Sequence, residues 1–206
     1  MPDGLRIDWY RHYTQHKKVA PLCAEDFERQ WRIDQPFLDM LARHVPPAGR
    51  ILECGCGLAR TAMSMAHAGY QITALDHDSQ ILEQARINAC QLALSMDFLQ
   101  GDFFRLGEAL RDRLFDGATH QGVLEHYDRM EIHAILAQQL GVSPVVVCSV
   151  PIESVFNWQY FQDSLYRNLW PESIWREILC PVFQVVESRV ARQRTDNLIM
   201  AIRRDF

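Results

Sequence analysis

The chain has 206 residues, 48% of them hydrophobic and 23% charged, which is the composition of one ordinary globular domain. Its net charge of −5 argues against a broad nucleic-acid surface, and no apolar run approaches the roughly 20 residues that cross a bilayer. The N-terminus also lacks the apolar core of a secretory signal, so we expect one domain over 1–206 in the cytoplasm, with no nucleic-acid or membrane partner, and we leave the oligomeric state open.

The first part of the chain alternates short apolar runs with amphipathic segments, which is typical of a parallel sheet covered by helices. A polar arm with scattered aromatic residues occupies 1–34, and apolar residues at helical spacing begin after Gln35. We predict four strands, at RILEC, GYQITALD, DFLQGD and RLFDGATHQG. Helices are predicted over 60–68 and over SQILEQARINACQL, with Ser79 as the cap of the second.

The last part of the chain continues this alternation and then departs from it. We predict a helix at RMEIHAILAQQL and a central strand, covered on both faces, at the most apolar run, SPVVVCSVP. Residues 151–170 have no clear period and are rich in aromatic residues, and a helix with Pro171 at its start follows. The final strands, FQVVESRVAR and NLIMAIRRD, are joined by a link too short for a crossover helix, which predicts an antiparallel hairpin.

The stretch ILECGCGLAR joins the first predicted strand to the helix that follows. Gly55 and Gly57 allow a chain to turn sharply beneath a nucleotide, and Asp76 ends the next strand about 20 residues on, where a carboxylate can bind ribose hydroxyls. Asp102 ends the third strand, where a carboxylate can reach an adenine amine. Glu53 lies inside the end of the first strand, and a buried carboxylate there needs a partner. Together these positions predict a nucleotide-containing ligand.

Two other interpretations of this stretch fit less well. A structural zinc site needs four ligands, usually in two close pairs, and Cys54 and Cys56 have no second pair, so we predict no metal and reduced cysteines. A dinucleotide fold has a third glycine where this chain has Arg60. The acids also have structural alternatives, Asp76 as a turn or helix-capping residue and Asp102 as a solvated loop residue.

The motifs ECGCG, ALD, GDF and FDGATHQGVLEH, which lie in this order between about 35 and 150, resemble those of class I S-adenosylmethionine-dependent methyltransferases. The resemblance implies an α/β, Rossmann-like three-layer sandwich with a seven-stranded, mostly parallel sheet and an antiparallel last strand. Leu58-Ala59 departs from the family's usual Thr/Ser-Gly. The implied cofactor is S-adenosyl-L-methionine, and the residues implied to bind it are Glu53, Gly55, Cys56, Gly57, Asp76, His77, Asp102, Phe103, Gln121, Gly122 and Val123.

The N-terminal arm is also implied in cofactor binding. Its stretch FERQW resembles a segment of some family members, and by that analogy Tyr13, Gln30 or Arg32 approaches the cofactor's carboxylate. We expect the arm (1–34) and the aromatic segment (151–170) to close over the acceptor, between a cofactor-binding core (35–150) and a terminal helix and hairpin (171–206). The substrate contacts predicted in the aromatic segment are Trp158, Tyr160, Phe161 and Tyr166.

The expected activity is transfer of a methyl group from the cofactor to an oxygen or nitrogen atom of a small molecule. A small acceptor is favoured because the chain has no basic face, no N-P-P-Y-like motif and no appended recognition domain. Glu125 and His126 follow the fourth strand and are candidate catalytic bases, and a packed, structural histidine is the alternative for His126. The alternatives for the whole chain are a partner-dependent protein methyltransferase and a non-catalytic cofactor-binding module of the same fold.

Overall fold

The computed structural model describes residues 9–16, 22–163 and 165–204, so parts of the predicted arm, 1–8 and 17–21, lie outside the described residues. The helices are α1 (Trp9–His16), α2 (Ala24–His44), α3 (Arg60–His67), α4 (Ser79–Gln91), α5 (Leu106–Leu110), α6 (Arg129–Val142), α7 (Val155–Tyr160) and α8 (Glu172–Leu179). The strands are β1 (Arg50–Cys54), β2 (Gln71–Asp76), β3 (Asp97–Gln100), β4 (Gly117–Gln121), β5 (Val146–Pro151), β6 (Phe183–Arg192) and β7 (Asp196–Arg204). Short 3₁₀ turns, Phe103–Arg105 and Leu124–His126, follow β3 and β4.

The seven strands form one sheet in the order β3-β2-β1-β4-β5-β7-β6. Strands β1 to β5 are parallel, and β7 runs antiparallel to both of its neighbours, β5 and β6. This confirms the predicted fold class and the terminal hairpin. Because parallel strands end at the same edge of the sheet, the loops after β1, β2, β3 and β4 lie side by side at its carboxyl edge.

Apolar side chains cover both faces of the sheet and make three layers. Ile51 and Ile72 pack with α2, α3 and α4 on one face. Leu52 and Leu75 pack with α5, α6 and α8 on the other, around the fully buried Trp175. The alternation of neighbouring β1 residues between these two cores is the period of two expected for a strand covered on both sides.

Two helix boundaries differ from the prediction. Helix α2 begins at Ala24, well before Gln35, and continues through Pro36, because its buried residues keep a spacing of three or four from Phe27 to Leu41. The predicted division of the chain at 34/35 therefore falls inside a continuous helix. The cap of α4 is Asp78, whose carboxylate accepts hydrogen bonds from the Gln80 and Ile81 amides, and the prediction of Ser79 was wrong because Ser79 is already helical.

None of the described helices is long and apolar enough to cross a membrane. Within the described ranges, no three His, Cys, Asp or Glu side chains come together in a way that could hold a metal ion. All six cysteines are thiols, and Cys54 and Cys148 are buried.

Candidate functional site

The loop after β1 is a sharp turn that depends on two glycines. Gly55 and Gly57 have φ angles of +66° and +53°, in the left-handed region where other residues are strained. A Cβ atom on Gly57 would lie 2.7 Å from the hydroxyl oxygen of Tyr13, and one on Gly55 would lie 3.1 Å from Val123. Because Gly55 and Gly57 have no side chains, α1 and the loop after β4 can approach this turn closely.

Asp76, at the end of β2, holds this turn in place. It is 5% exposed, and its Oδ2 accepts a hydrogen bond from the Gly57 amide at 2.9 Å while Oδ1 accepts one from the Asp78 amide at 3.1 Å. Nδ1 of His77 lies 3.4 Å from the same Oδ1. Because a carboxylate has about four acceptor positions, Asp76 can also accept hydrogen bonds from the hydroxyl groups of a ligand.

Glu53 is buried beneath the turn, and its Oε2 has no hydrogen-bond partner among the described residues. Burial and the nearby acids Asp34 and Asp76 raise the pKa of Glu53 to about 8, although a hydrogen bond from the Ala62 amide opposes this shift. No described cation lies within ion-pair distance of the carboxyl group. A ligand that brought a positive charge or a donor to Oε2 would therefore be stabilised here.

Two adjoining cavities lie at this edge of the sheet. The first, about 100 Å³, is lined by Trp9, Tyr13, Gly55, Cys56, Gly57, Asp76, His77, Phe103, Gln121, Gly122, Val123, His126 and Tyr127. The second, about 240 Å³, is lined by Tyr13, Gln30, Glu53, Gly55, Cys56, Leu58, Arg60, Thr61, Gln121 and Arg194. The structure therefore brings together most of the residues that the sequence predicts for the cofactor.

Asp102 and Phe103 follow β3 and have different surroundings. Phe103 lines the first cavity and packs edge-to-face against Tyr127, with 5.8 Å between ring centroids. Asp102 lines neither cavity, and its carboxylate accepts a hydrogen bond from the Phe104 amide at 2.9 Å. In the structure Asp102 therefore caps the 3₁₀ turn that positions Phe103.

The loop after β4 carries the two candidate bases. Nδ1 of His126 lies 2.8 Å from the carbonyl oxygen of Tyr166, and because a carbonyl oxygen only accepts, Nδ1 carries the proton. Nε2 lies 3.8 Å from Oε1 of the buried Glu125, and the Trp9 ring packs against the imidazole at 5.2 Å. Burial lowers the pKa of His126 to about 4, so the ring is neutral at pH 7. Glu125 lines neither cavity.

Several predicted residues lie away from the cavities. Arg32 is largely exposed and pairs with Glu28 at 3.7 Å, because it is on the outer face of α2. The predicted substrate contacts Trp158, Tyr160, Phe161 and Tyr166 line neither cavity, and all of them except the partly buried Phe161 are exposed. Their segment is instead attached to the loop after β4, where Asn168 donates hydrogen bonds to the carbonyls of Glu125 and Tyr127, each at 2.7 Å.

Six residues line the cavities without having been assigned to them from the sequence, namely Trp9, Leu58, Arg60, Thr61, Tyr127 and Arg194. Trp9 and Tyr127 are aromatic residues in segments that the sequence had marked, so their ring type was a usable signal. Arg60 was considered in the sequence only because it occupies the position of the third glycine of a dinucleotide-binding fold. Arg194 lies in the link between β6 and β7, and its guanidinium donates to Oε1 of Gln30, 164 residues away in the chain, so no local pattern could have placed it.

Comparisons with known proteins agree with this architecture. Residues 51–142 match a family model described as a methyltransferase domain. A ubiquinone biosynthesis O-methyltransferase from Xanthomonas axonopodis pv. citri is 31% identical over 126 residues, which are 56% of this chain and 51% of that protein. The matched region thus spans about half the length of these curated relatives.

Solved structures extend the likeness of the fold to nearly the whole chain. Magnesium protoporphyrin IX methyltransferase from Synechocystis PCC 6803, solved with S-adenosylhomocysteine, has a TM-score of 0.67 at 18% identity and covers 96% of this chain and 93% of its own. A 1,6-didemethyltoxoflavin-N1-methyltransferase from Burkholderia thailandensis has a TM-score of 0.67 at 20% identity and covers 97% of this chain and 86% of its own. With the seven-stranded topology, these matches show that the chain has the fold of S-adenosylmethionine-dependent methyltransferases, and that its residues 51–142 are similar to a methyltransferase domain.

Proposed function

We propose that this protein transfers a methyl group from S-adenosylmethionine to an oxygen or nitrogen atom of a small molecule. The observation that carries the proposal is the meeting of Asp76, the Gly55–Gly57 turn, Phe103 and the buried Glu53 around two adjoining cavities. The cofactor supplies an activated methyl group on a sulfonium sulfur, and the products are the methylated acceptor and S-adenosylhomocysteine. The match of residues 51–142 to a methyltransferase-domain model supports this cofactor, and its placement on these residues is our proposal.

The residues present fit the cofactor part by part. Asp76 has acceptor capacity for the two ribose hydroxyls, and the ring of Phe103 offers an apolar face for adenine. The absence of side chains at Gly55 and Gly57 leaves room beneath the methionine chain, and Oε2 of Glu53, which lacks a partner, suits its ammonium group. Holding the cofactor and the acceptor in one orientation can by itself contribute about 7–11 kcal/mol to lowering the barrier.

The acceptor is proposed to lie over the first cavity, beside Trp9, Tyr127 and His126. A small molecule is supported by the names of the relatives, which describe methylation of an oxygen in ubiquinone biosynthesis and of a nitrogen in a didemethyltoxoflavin. The neutral His126, fixed by the Tyr166 carbonyl, is proposed to position the loop, because a base with so low a pKa is poorly matched to proton transfer at pH 7.

Thermal stability and turnover test the proposed function. S-adenosylhomocysteine should raise the Tm, as any ligand selective for the folded state does, and NAD at the same concentration should not. Methyl transfer to a member of a metabolite panel, without added protein, would separate a small-molecule enzyme from a partner-dependent protein methyltransferase. Stabilisation by the cofactor without turnover on any acceptor would favour the non-catalytic module, and stabilisation by NAD alone would contradict the cofactor assignment.

A further inference from the structure

The second cavity carries two guanidinium groups that the proposed placement of the cofactor has not used. Arg60 is the first residue of α3, and Arg194 is in the three-residue link between β6 and β7. Both line the cavity beside the Gly55–Cys56 turn. Among the described residues, no carboxylate lies within ion-pair distance of either one, whereas ten other arginines have such a partner, namely Arg29, Arg32, Arg43, Arg50, Arg86, Arg113, Arg167, Arg176, Arg189 and Arg192.

The two groups are also close enough to repel each other. Burial and the charge of Arg194 both lower the pKa of Arg60, and the acid Asp26 only partly opposes this. Arg194 is held in position by Gln30, which accepts from its guanidinium and donates to Oδ1 of the buried Asp34 at 2.9 Å. A pair of like charges positioned at one cavity wall is unfavourable unless an anion lies between them.

The same cavity is also lined by an acid. Glu53 is 3% exposed and presents Oε2 without a partner, and the buried Nε2 of Gln121 is a second group there that lacks one. One acid and two guanidinium groups in a single cavity match the ammonium and carboxylate of an α-amino acid. The helix N-terminus at Arg60 adds a favourable field for the anion.

We propose that Arg60 and Arg194 form a carboxylate site that binds the amino-acid end of the cofactor, so that the β6–β7 link takes part in cofactor recognition. The inference rests on the proposed function. It replaces the predicted role of Arg32, which lies on the exposed face of α2. An acid group on the methyl acceptor is the other source of a carboxylate, and it is less favoured because both arginines adjoin the glycine turn and Glu53.

The test compares S-adenosylhomocysteine with 5′-methylthioadenosine, which has the same nucleoside but no amino acid. Calorimetry should show that Arg194→Gln and Arg60→Gln each weaken binding of S-adenosylhomocysteine by roughly 10- to 150-fold, the usual cost of losing a hydrogen bond to a charged group. Binding of 5′-methylthioadenosine should change by less than about twofold, since it lacks the carboxylate. The matched control Arg32→Gln, which removes an exposed arginine, should change neither affinity.

Other results would overturn either the carboxylate site or the proposed function. Equal losses for both ligands, or no loss for S-adenosylhomocysteine, would overturn the carboxylate site. Unchanged cofactor affinity with a raised KM for the methyl acceptor would also overturn it and would assign the arginines to an acidic acceptor. If neither ligand bound the unsubstituted protein, the proposed function itself would fail. Arg194→Lys keeps the charge without the planar fork and should recover part of the affinity lost in Arg194→Gln.

Discussion

The loop after β1 and the segment after β5 leave the same edge of the sheet but are built differently. The first is a short turn with two glycines at positive φ, held by the carboxylate of Asp76 and lining both cavities. The second carries exposed aromatic rings and is attached to the loop after β4 mainly through Asn168 and the Tyr166 carbonyl. The comparison shows that aromatic composition at a sheet edge does not by itself identify a cavity wall, whereas a small turn facing a buried carboxylate does.

If the loop after β1 is built to receive a cation, Glu53 should make the stability of the protein depend on pH. Its pKa is about 8 in the folded state and near 4.5 in the unfolded chain, so below pH 4.5 both states are protonated. Between these values only the unfolded chain releases the proton, and the free energy of unfolding falls by at most about 1.4 kcal/mol per pH unit as pH rises. Urea titrations at pH 5 and pH 8 should show this slope reduced in Glu53→Gln. The exposed control Glu108→Gln should keep it.

Asp76 holds this turn through the Gly57 amide and is proposed to bind the ribose of the cofactor. We expect Asp76→Ala to weaken binding of S-adenosylhomocysteine by about 1.5–3 kcal/mol, or roughly 10- to 150-fold in Kd, measured by calorimetry. The matched control is Asp78→Ala, two residues on, which removes the cap of α4 and should cost about 1 kcal/mol of stability without changing Kd. An unchanged Kd in a folded Asp76→Ala protein would make Asp76 a turn residue only.

His126 connects the two regions, since it lines the first cavity and donates a hydrogen bond to the Tyr166 carbonyl of the aromatic segment. As a positioning residue, its replacement by Ala should lower the Tm and the cofactor affinity together, by about 1–3 kcal/mol for the lost buried hydrogen bond. His126→Asn, which can still donate to the Tyr166 carbonyl, should lose less. A loss of at least about 10²-fold in kcat in both variants, with normal Tm and binding, would instead identify a catalytic base.

Alanine substitutions at two glycines with positive φ, Gly57 and Gly69, distinguish the effect of crowding α1 from the effect of backbone strain. Gly57→Ala places a methyl group against the Tyr13 hydroxyl, whereas Gly69→Ala has no atom within 4 Å of the new Cβ. Both should lose about 1 kcal/mol of stability through strain. Only Gly57→Ala should also weaken binding of S-adenosylhomocysteine, by about tenfold or more, because α1 must move. Equal affinities in the two variants would contradict a role for Tyr13 at the cavity.

The smallest effect is expected in the aromatic segment. Trp158 is 60% exposed and lines neither cavity, so Trp158→Ala should change stability by no more than about 0.5 kcal/mol. The Kd of S-adenosylhomocysteine and the KM of whichever acceptor the metabolite panel yields should also stay the same. A KM raised tenfold would restore the prediction that this segment contacts the substrate and would remove the contrast between the two regions.

The sheet and the turn after β1 could be predicted because the residues that determine them are close together in the sequence. A period of two along β1, glycines at the turn and an acid at the end of β2 are all legible within a few residues, and parallel pairing then brings their ends together. Arg194 could not be placed in this way, since a contact between distant parts of the chain puts it at the cavity. The early start of α2 could not be predicted either, because the packing of its buried residues maintains the helix through Pro36 despite the missing hydrogen bond.

The strand order determines which parts of this site can form first while the chain is being synthesised. Strand β6 is made before β7 but pairs only with β7, which lies between it and β5. A growing chain that has not yet reached Asp196 therefore has no partner for β6, and Arg194 has no fixed place beside Gln30. Strands β1 to β4 can assemble earlier. A nascent chain would therefore form the proposed nucleoside site, at Asp76 and Phe103, before the proposed carboxylate site, which needs Arg194.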